Sequence, residues 1–455
     1  MRQTLFYIPS EIFGYPLFGF GLFLAFIAVS LLLSGIVHFA RIKKLDESAW
    51  HYLGLLVVGV IVSFVMQNVA KPGHGLPIRG YGTFLLLAIF SSFSLLTYLG
   101  RKKNLTVDQI FSLATWSVVS GILCARIFYV VEYWREMLRW SDDGTLNLFA
   151  SIFSTLNFVD GGLVVFGSII GGTIGALLFM RLNRLPIFST FDAMAPAMFL
   201  GIAIGRIGCL MNGCCFGGIC DAPWAITFPE GSPAHFHQIG QGETFYFGLI
   251  LRDENAPSGE NRVVIREVQL NSDADKNGLK KGMLIKSVAG LIHGQYYPVP
   301  IDTALNTLGT IQELHEKYEA EKIRFDVEIP PNILANDQTL QKSFVAGPTP
   351  STVRPVHPTQ LYSSTAAFCG CLILLLLGRL KFYRQRDGLT LATFLILYGV
   401  GRFIIEIIRT DEASFFDTGL TVSQNVSIAA VVIGLVLAGF LLRKPAAPAS
   451  FQRRV

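Results

Sequence analysis

The sequence predicts an all-α polytopic membrane protein of about nine transmembrane helices, interrupted by one α+β extracytoplasmic insertion. Three observations carry this expectation. Of 455 residues, 51% are hydrophobic and only 15% charged, whereas soluble domains carry about 25% charged residues. Nine apolar runs reach the roughly 17 to 25 residues that a helix needs to cross a bilayer. Basic clusters follow every odd-numbered run, as the topology of a multi-pass protein requires. The net charge of +5 is small and lies largely in short loops, so it speaks for topology and against a nucleic-acid partner.

The nine runs cover roughly 17–38, 52–70, 82–100, 108–131, 161–181, 188–210, 360–378, 389–408 and 421–442. Arg41-Ile42-Lys43-Lys44, Arg101-Lys102-Lys103, Arg181 to Arg184, Arg379 to Arg386 and the tail from Arg443 to Arg454 follow odd-numbered runs. Lys- and Arg-rich loops stay in the cytoplasm, which sets the N-terminus outside and the C-terminus inside. After even-numbered runs, Glu132 to Asp143 and Asp411 to Asp417 mix signs or run acidic. Arg2 precedes apolar sequence, but no small-residue cleavage site follows at signal-peptide distance, so the first helix is expected to be retained. Gly205-Arg206 and Gly401-Arg402 sit alike in apolar runs, yet two such pairs do not establish an inverted repeat.

A polar segment from about 219 to 356 follows the sixth run and is therefore expected outside the cytoplasm. Arg262 to Val268 reads as a strand, Ser272-Asp273-Ala274-Asp275-Lys276 as a helix start, and Asn277-Gly278 as its stop. With the following GLKKGMLIKSVAG this resembles the core of a PDZ domain, Thr310 to Glu321 being a candidate second helix and Ile323 to Ile329 a closing strand. PDZ domains bind extended C-terminal peptides by strand addition; a degenerate spacer that binds nothing is the competing reading. Pro330 to Pro355 reads as a linker back to the membrane. The expected organisation is thus two additional N-terminal helices (1–74), a membrane core in two parts (75–228 and 351–445), the insertion and its linker (229–350), and a cytoplasmic tail (446–455).

Chemistry concentrates in GRIGCLMNGCCFGG, residues 205–218. Arg206 ends an apolar run, and a glycine-rich turn carrying Asn212 and two cysteines comes next. A guanidinium inside a bilayer costs about 2.5 to 3.5 kcal/mol on insertion scales. It needs a partner, and a phosphate fits its planar fork best; a structural arginine snorkelling to water is the plain alternative. In the eighth run, Tyr398, Arg402 and Glu406 fall on one helix face at spacings of four. An Arg402–Glu406 pair would neutralise itself, but two membrane arginines outnumber the one nearby carboxylate, which suits an anionic lipid headgroup.

Other features carry two readings each. Ser168, Gly171, Gly172 and Gly175 make a small-residue face that reads as packing. Tyr81 stands at the outer edge of the third run and Arg126 and Tyr129 at the end of the fourth, each either an interfacial anchor or a ligand group. His357 opens the seventh run as a base near neutral pH or a structural helix-start residue. Cys209, Cys214, Cys215 and Cys220 lack C-x-x-C spacing, which gives zinc weak support, and a disulfide from Cys214 or Cys215 to Cys220 stays open.

In this order the motifs resemble the bacterial prolipoprotein diacylglyceryl transferase family. The likeness covers about 75–228 and 357–442, through IRGYG, DGGLVVFGSIIGG, GRIGCLMNGCCFGG with PWAITFP, HPTQLY, YGVGRFIIEIIR and GLTVSQNVS. The first two helices and the insertion lie outside the family core, which resembles seven helices with the N-terminus outside. The resemblance implies an enzyme of the bacterial cytoplasmic membrane that moves the diacylglyceryl group of phosphatidylglycerol to the lipobox cysteine thiol of a prolipoprotein. Glycerol phosphate leaves, and neither cofactor nor metal is implied. Arg206 and Arg402 would bind the lipid phosphate, with Asn212, Gly217, Tyr398, Glu406 and Tyr81 lining the site. Arg126, Tyr129 and His357 are expected as further lipid contacts. Phe166, Cys209 and Cys214 stand where the family often has histidine, asparagine and glutamate, which removes a base at Phe166 and leaves deprotonation to another group or to the substrate thiol's own environment. Two competing functions are a non-catalytic lipid- or anion-binding membrane protein that presents the PDZ-like domain, and an anion transporter.

Overall fold

A computed structural model describes residues 4–42, 48–70, 75–138, 151, 155, 164–229, 232–245, 248–255, 261–292, 295–299, 303, 322–329, 338–344, 353–409 and 419–443. Seven helices are long and apolar enough to cross a membrane: Gly80–Arg101, Val107–Glu132, Val165–Leu182, Ile187–Asn212, Thr359–Leu377, Leu389–Ile408 and Val422–Arg443. Each falls on one of the expected runs. Their outward residues are apolar, with Phe90, Val131, Ile407 and Val436 each at least 66% exposed. Such a surface suits hydrocarbon and not water; the protein is a multi-pass membrane protein. Two further helices, Leu22–Ile42 and Ser48–Val69, precede these seven. Their described apolar segments, Leu22–Gly35 and Leu55–Val69, are shorter than a span. Seven spans are therefore established among the described residues, where the sequence predicts nine. The first helix starts later than its apolar run because Gly19 takes φ +69° and Gly21 presses on the Pro16 carbonyl, where a Cβ would come to 1.9 Å.

The chain forms two compact units. One comprises Leu85–Arg206, Tyr362–Ile407 and Ser414–Val455 and is helical among its described residues. Its tightest pairing joins Val107–Glu132 to Val165–Leu182 through the small-residue face. A Cβ on Gly171 would stand 2.4 Å from the Ser120 carbonyl oxygen, and one on Gly167 2.7 Å from the Ala125 Cα. Glycine is required here because backbone meets backbone, so the packing reading of this face holds. A second core joins Phe199 and Ala203 to Ala367, Cys371, Leu374 and Phe394. At the start of Leu389–Ile408, the buried Asp192 carboxylate accepts from the backbone N–H groups of Gly388 (2.7 Å) and Leu391 (2.8 Å). A carboxylate borrowed from another helix thus satisfies amides that a helix start leaves unpaired.

The other unit comprises Met1–Phe84, Ile207–Leu361 and Ile408–Ala413. The strand Thr4–Ile8, not expected from the hydropathy pattern, pairs antiparallel with Leu76–Arg79, two residues before Tyr81. Within the insertion an antiparallel sheet runs in the order Gln338–Phe344, Lys322–Ile329, Leu284–Ile292, Asn261–Val268, Leu249–Asn255, with Gln295–Val299 also paired to Leu284–Ile292. Val263, Val264, Ile265, Val288, Ala289, Phe325 and Val327 are buried; Phe325 and Val327 keep the two-residue period of a one-faced strand, while the strands beside them are buried through successive residues. Ser272 caps the Asp273–Lys276 turn by accepting from the Asp275 N–H at 3.2 Å, and Gly278 at φ +78° comes after it. The candidate helix Thr310 to Glu321 lies outside the described residues. The expected linker is corrected: Gln338–Phe344 is a strand paired with Lys322–Ile329 in register along its length. The Pro and Gly content that suggested a linker lies at the two ends of 330–355; between them Leu340 and Phe344, four residues apart, fall on one face of the strand.

Candidate functional site

The Leu389–Ile408 helix brings Arg402 and Glu406 together by its own pitch. At spacing four their side chains meet, and the guanidinium and carboxylate form an ion pair that is 12% and 1% exposed. A second helix completes the arrangement. Arg402 Nη2 donates to Ser423 Oγ at 2.8 Å, and Thr421 Oγ1 donates to Glu406 Oε1 at 3.3 Å. Thr421 also caps Val422–Arg443: the Gln424 N–H donates to Thr421 Oγ1 (3.2 Å) while the Thr421 N–H donates to Gln424 Oε1 (3.0 Å). This reciprocal box fixes where Thr421 and Ser423 stand. Neither residue was singled out in the sequence, although T-x-x-Q before an apolar run was a usable signal. Gly399 lets the two helices touch, since a Cβ there would lie 2.6 Å from the Ser427 carbonyl oxygen.

Arg206 differs. It is half-buried near the end of Ile187–Asn212, and no ion-pair or hydrogen-bond partner for its guanidinium stands among the described residues. The helix that carries it meets Leu389–Ile408 at Phe199 and Phe394, whose ring centroids are 4.7 Å apart. Arg206 lies seven residues after Phe199, and Arg402 eight residues after Phe394. At 1.5 Å per residue each arginine stands roughly 10 to 12 Å along its own helix from that contact. Gly205 and Gly401 precede them, and a Cβ built on either meets nothing within 4 Å. Mid-helix glycine costs about 0.5–1 kcal/mol against alanine, and packing does not require it at these two positions. The glycines leave open space beside each arginine.

Tyr398 stacks on Phe394 (5.9 Å, 12°) and packs against the second core, so its ring serves the helix contact. Arg126 is 7% exposed; its Nε donates to the Thr155 carbonyl at 2.9 Å and its guanidinium lies 5.2 Å from the Tyr129 ring. Much of that side chain is therefore engaged by the protein.

In the other unit, Asn212 closes its helix with a Schellman turn. The Cys214 N–H donates to the Cys209 carbonyl (3.2 Å) and the Gly213 N–H to the Leu210 carbonyl (3.3 Å), with Gly213 at φ +77°. The HPTQLY segment then clamps the chain just beyond this turn. Thr359 Oγ1 donates to the Cys215 carbonyl (2.6 Å) and Gln360 Nε2 to the Cys214 carbonyl (2.7 Å). Gly217 N–H donates to the His357 carbonyl and His357 N–H to the Gly218 carbonyl, each at 3.0 Å. A Cβ on Gly217 would meet the His357 Cβ at 2.8 Å and Thr359 Cγ2 at 2.9 Å. Gly217 and the His357 backbone thus build the turn, a role that no local sequence pattern announces. Tyr81 is 41% exposed, at the start of its helix. The described cysteines form no disulfide.

The motifs that make these contacts are those of one family. A profile of the family described as prolipoprotein diacylglyceryl transferase matches residues 67–440. The chain belongs to this family. It is accordingly an enzyme, a transferase. The matched span begins at the end of Ser48–Val69 and leaves Leu22–Ile42 before it. A phosphatidylglycerol–prolipoprotein diacylglyceryl transferase of Rhodopirellula baltica is 32% identical over 465 aligned positions, covering 96% of this chain and 88% of that one. Enzymes of the same name from Trichormus variabilis and Synechocystis sp. are 34% and 35% identical over 33% and 36% of this chain. These two alignments cover 50% and 56% of the relatives' own lengths.

Proposed function

We propose that this transferase moves the diacylglyceryl group of phosphatidylglycerol to the lipobox cysteine thiol of a prolipoprotein, the first step of lipoprotein maturation. What supports the reading is a pair of arginines in membrane helices, each about two turns along its helix from the Phe199–Phe394 contact: Arg402 paired with Glu406 and Ser423, and Arg206 with no partner for its guanidinium among the described residues. In the reaction the thiol sulfur attacks the glyceryl carbon that bears the phosphate. A C–S bond forms, the C–O bond breaks with its electron pair going to oxygen, and glycerol phosphate departs; the thiol proton passes to an acceptor. The phosphate's single negative charge grows toward two as the C–O bond breaks, so two guanidiniums fixed before reaction stabilise the leaving group more than the bound lipid, without reorganising. Glu406 keeps Arg402 in place and leaves the site's positive charge only partly neutralised, since Arg206 adds a second cation. On the motif resemblance, Asn212, Gly217, Tyr398, Tyr81, Arg126, Tyr129 and His357 serve the same reaction, several of them by holding the helices and turn that position the substrate. With this match a non-catalytic or transport role has no observation in its favour. The purified chain in phosphatidylglycerol vesicles should add the mass of one diacylglyceryl group to a lipobox peptide. Absence of that product, or its formation with the cysteine replaced by serine, would sink the reading.

The protein sits in the bacterial inner membrane with Leu22–Ile42 and Ser48–Val69 as two more spans, giving nine, the N-terminus outside and the C-terminus in the cytoplasm. Supporting this are the basic clusters after odd-numbered runs. A reporter active only in the cytoplasm should work when fused after Val455 and fail when fused within the insertion; the reverse pattern would refute the orientation. Among the described residues the insertion's sheet ends in the strands Gln338–Phe344 and Leu249–Asn255, edges of the kind to which an extended peptide adds as a PDZ ligand does. Replacing 249–344 by a Gly-Ser linker should leave transfer to a short lipobox peptide intact and slow it on full-length prolipoproteins. Equal rates on both would make the insertion a spacer.

A further inference from the structure

Cys209, Cys214 and Cys215 have no part in the chemistry above, yet the fold gathers them. Their sulfur atoms all lie within 4.8 Å of one another. No C-x-x-C spacing announces this. The Schellman turn reverses the chain after Asn212, which carries the Cys214 thiol back to within 3.7 Å of the Cys209 carbonyl. Cys215 then adopts φ +59°, a left-handed backbone that few residues other than glycine take and that recurs at ligand clamps. The flanking carbonyls are fixed by Gln360 and Thr359, so the three thiols are presented on a rigid backbone.

We propose that Cys209, Cys214 and Cys215 form a three-thiolate site for a soft metal cation, with Cu(I) as its best-matched occupant. Three sulfurs bound to one ion at about 2.3 Å stand roughly 4 Å apart, so closing the observed triangle takes side-chain shifts below about 1 Å. Thiolate donors select soft cations, Cu(I) and zinc among them, and three of them suit the trigonal coordination of Cu(I). Zn(II) would need a fourth ligand, and no further His, Cys, Asp or Glu joins the group among the described residues. Each thiol that binds releases its proton to water, so affinity rises with pH.

The test is titration of the full-length, reduced, detergent-purified protein with Cu(I) against a competing chelator under anaerobic conditions. One Cu(I) per chain is expected, with a thiolate-to-copper charge-transfer band. Cys214→Ser and Cys215→Ser should each weaken binding by more than about 10–100-fold, the loss found when only an outer-shell partner of a ligand is removed, while Cys124→Ser and Cys369→Ser leave it unchanged. Melting curves without metal check that each variant folds, and the Cys214 and Cys215 variants are independent should either fail. Copper uptake equal to that of a Cys209/Cys214/Cys215 triple alanine variant would overturn the site. So would a disulfide within the trio in protein isolated without reductant, seen as two thiols lost to alkylation.

Discussion

Arg206→Ala should lower the rate of diacylglyceryl transfer by about 10²–10³-fold, the loss found when one preorganised charge-stabilising donor is removed from an active site. Folding should hardly change. The guanidinium is half-buried with no protein partner among the described residues, so its removal leaves no carboxylate stranded. The substitution also deletes a charge that costs about 2.5–3.5 kcal/mol to hold in a membrane, so the thermal midpoint should stay level or rise. Transfer rates on a lipobox peptide, set beside melting curves of the same preparations, separate the two effects. A variant that melts much earlier and regains full rate at low temperature would mark Arg206 as structural.

Arg402→Ala should fail on both counts. It removes a phosphate donor and takes away the cation paired with the buried Glu406 carboxylate. Breaking a buried pair from one side costs about 3–5 kcal/mol, so loss of folded protein should accompany loss of activity. Two further variants divide these roles. Arg402→Lys keeps a cation opposite Glu406 but not the fork that also reaches Ser423, so the protein should fold and still transfer slowly. Arg402→Ala with Glu406→Gln removes the carboxylate's charge as well, so folding should recover while activity does not. Recovery of activity in that double variant would show Arg402 to be only a counter-ion.

The difference between the two arginines shows where sequence reasoning reached and where it stopped. The Arg402–Glu406 pair was readable because both residues lie on one helix at a fixed spacing. Ser423 was not, because it reaches Arg402 from another helix 21 residues away. Asp192 escaped notice for the same reason: it caps the Leu389–Ile408 helix across 196 and 199 residues of chain. The helices themselves were legible, since hydrocarbon thickness dictates the length of an apolar run; their bounds moved by a few residues, as where Gly19 and Gly21 bend the chain before Leu22–Ile42. Gly217 was expected beside the lipid because of its motif; glycine is required there by contact with His357 and Thr359, which no local pattern reports. The cysteine trio is the opposite case. Its spacing argued against a metal, and the turn that overrides the spacing is itself a product of Gly213 taking a positive φ.

The central claim is that Arg206 acts on the lipid phosphate and not on the fold. It is tested most directly in a bacterium depleted of its own prolipoprotein diacylglyceryl transferase. The unaltered chain should restore lipidation of a reporter prolipoprotein, and Arg206→Ala, present in the membrane at the same level, should not. Failure of the unaltered chain at normal membrane levels, or full lipidation with Arg206→Ala, would contradict it.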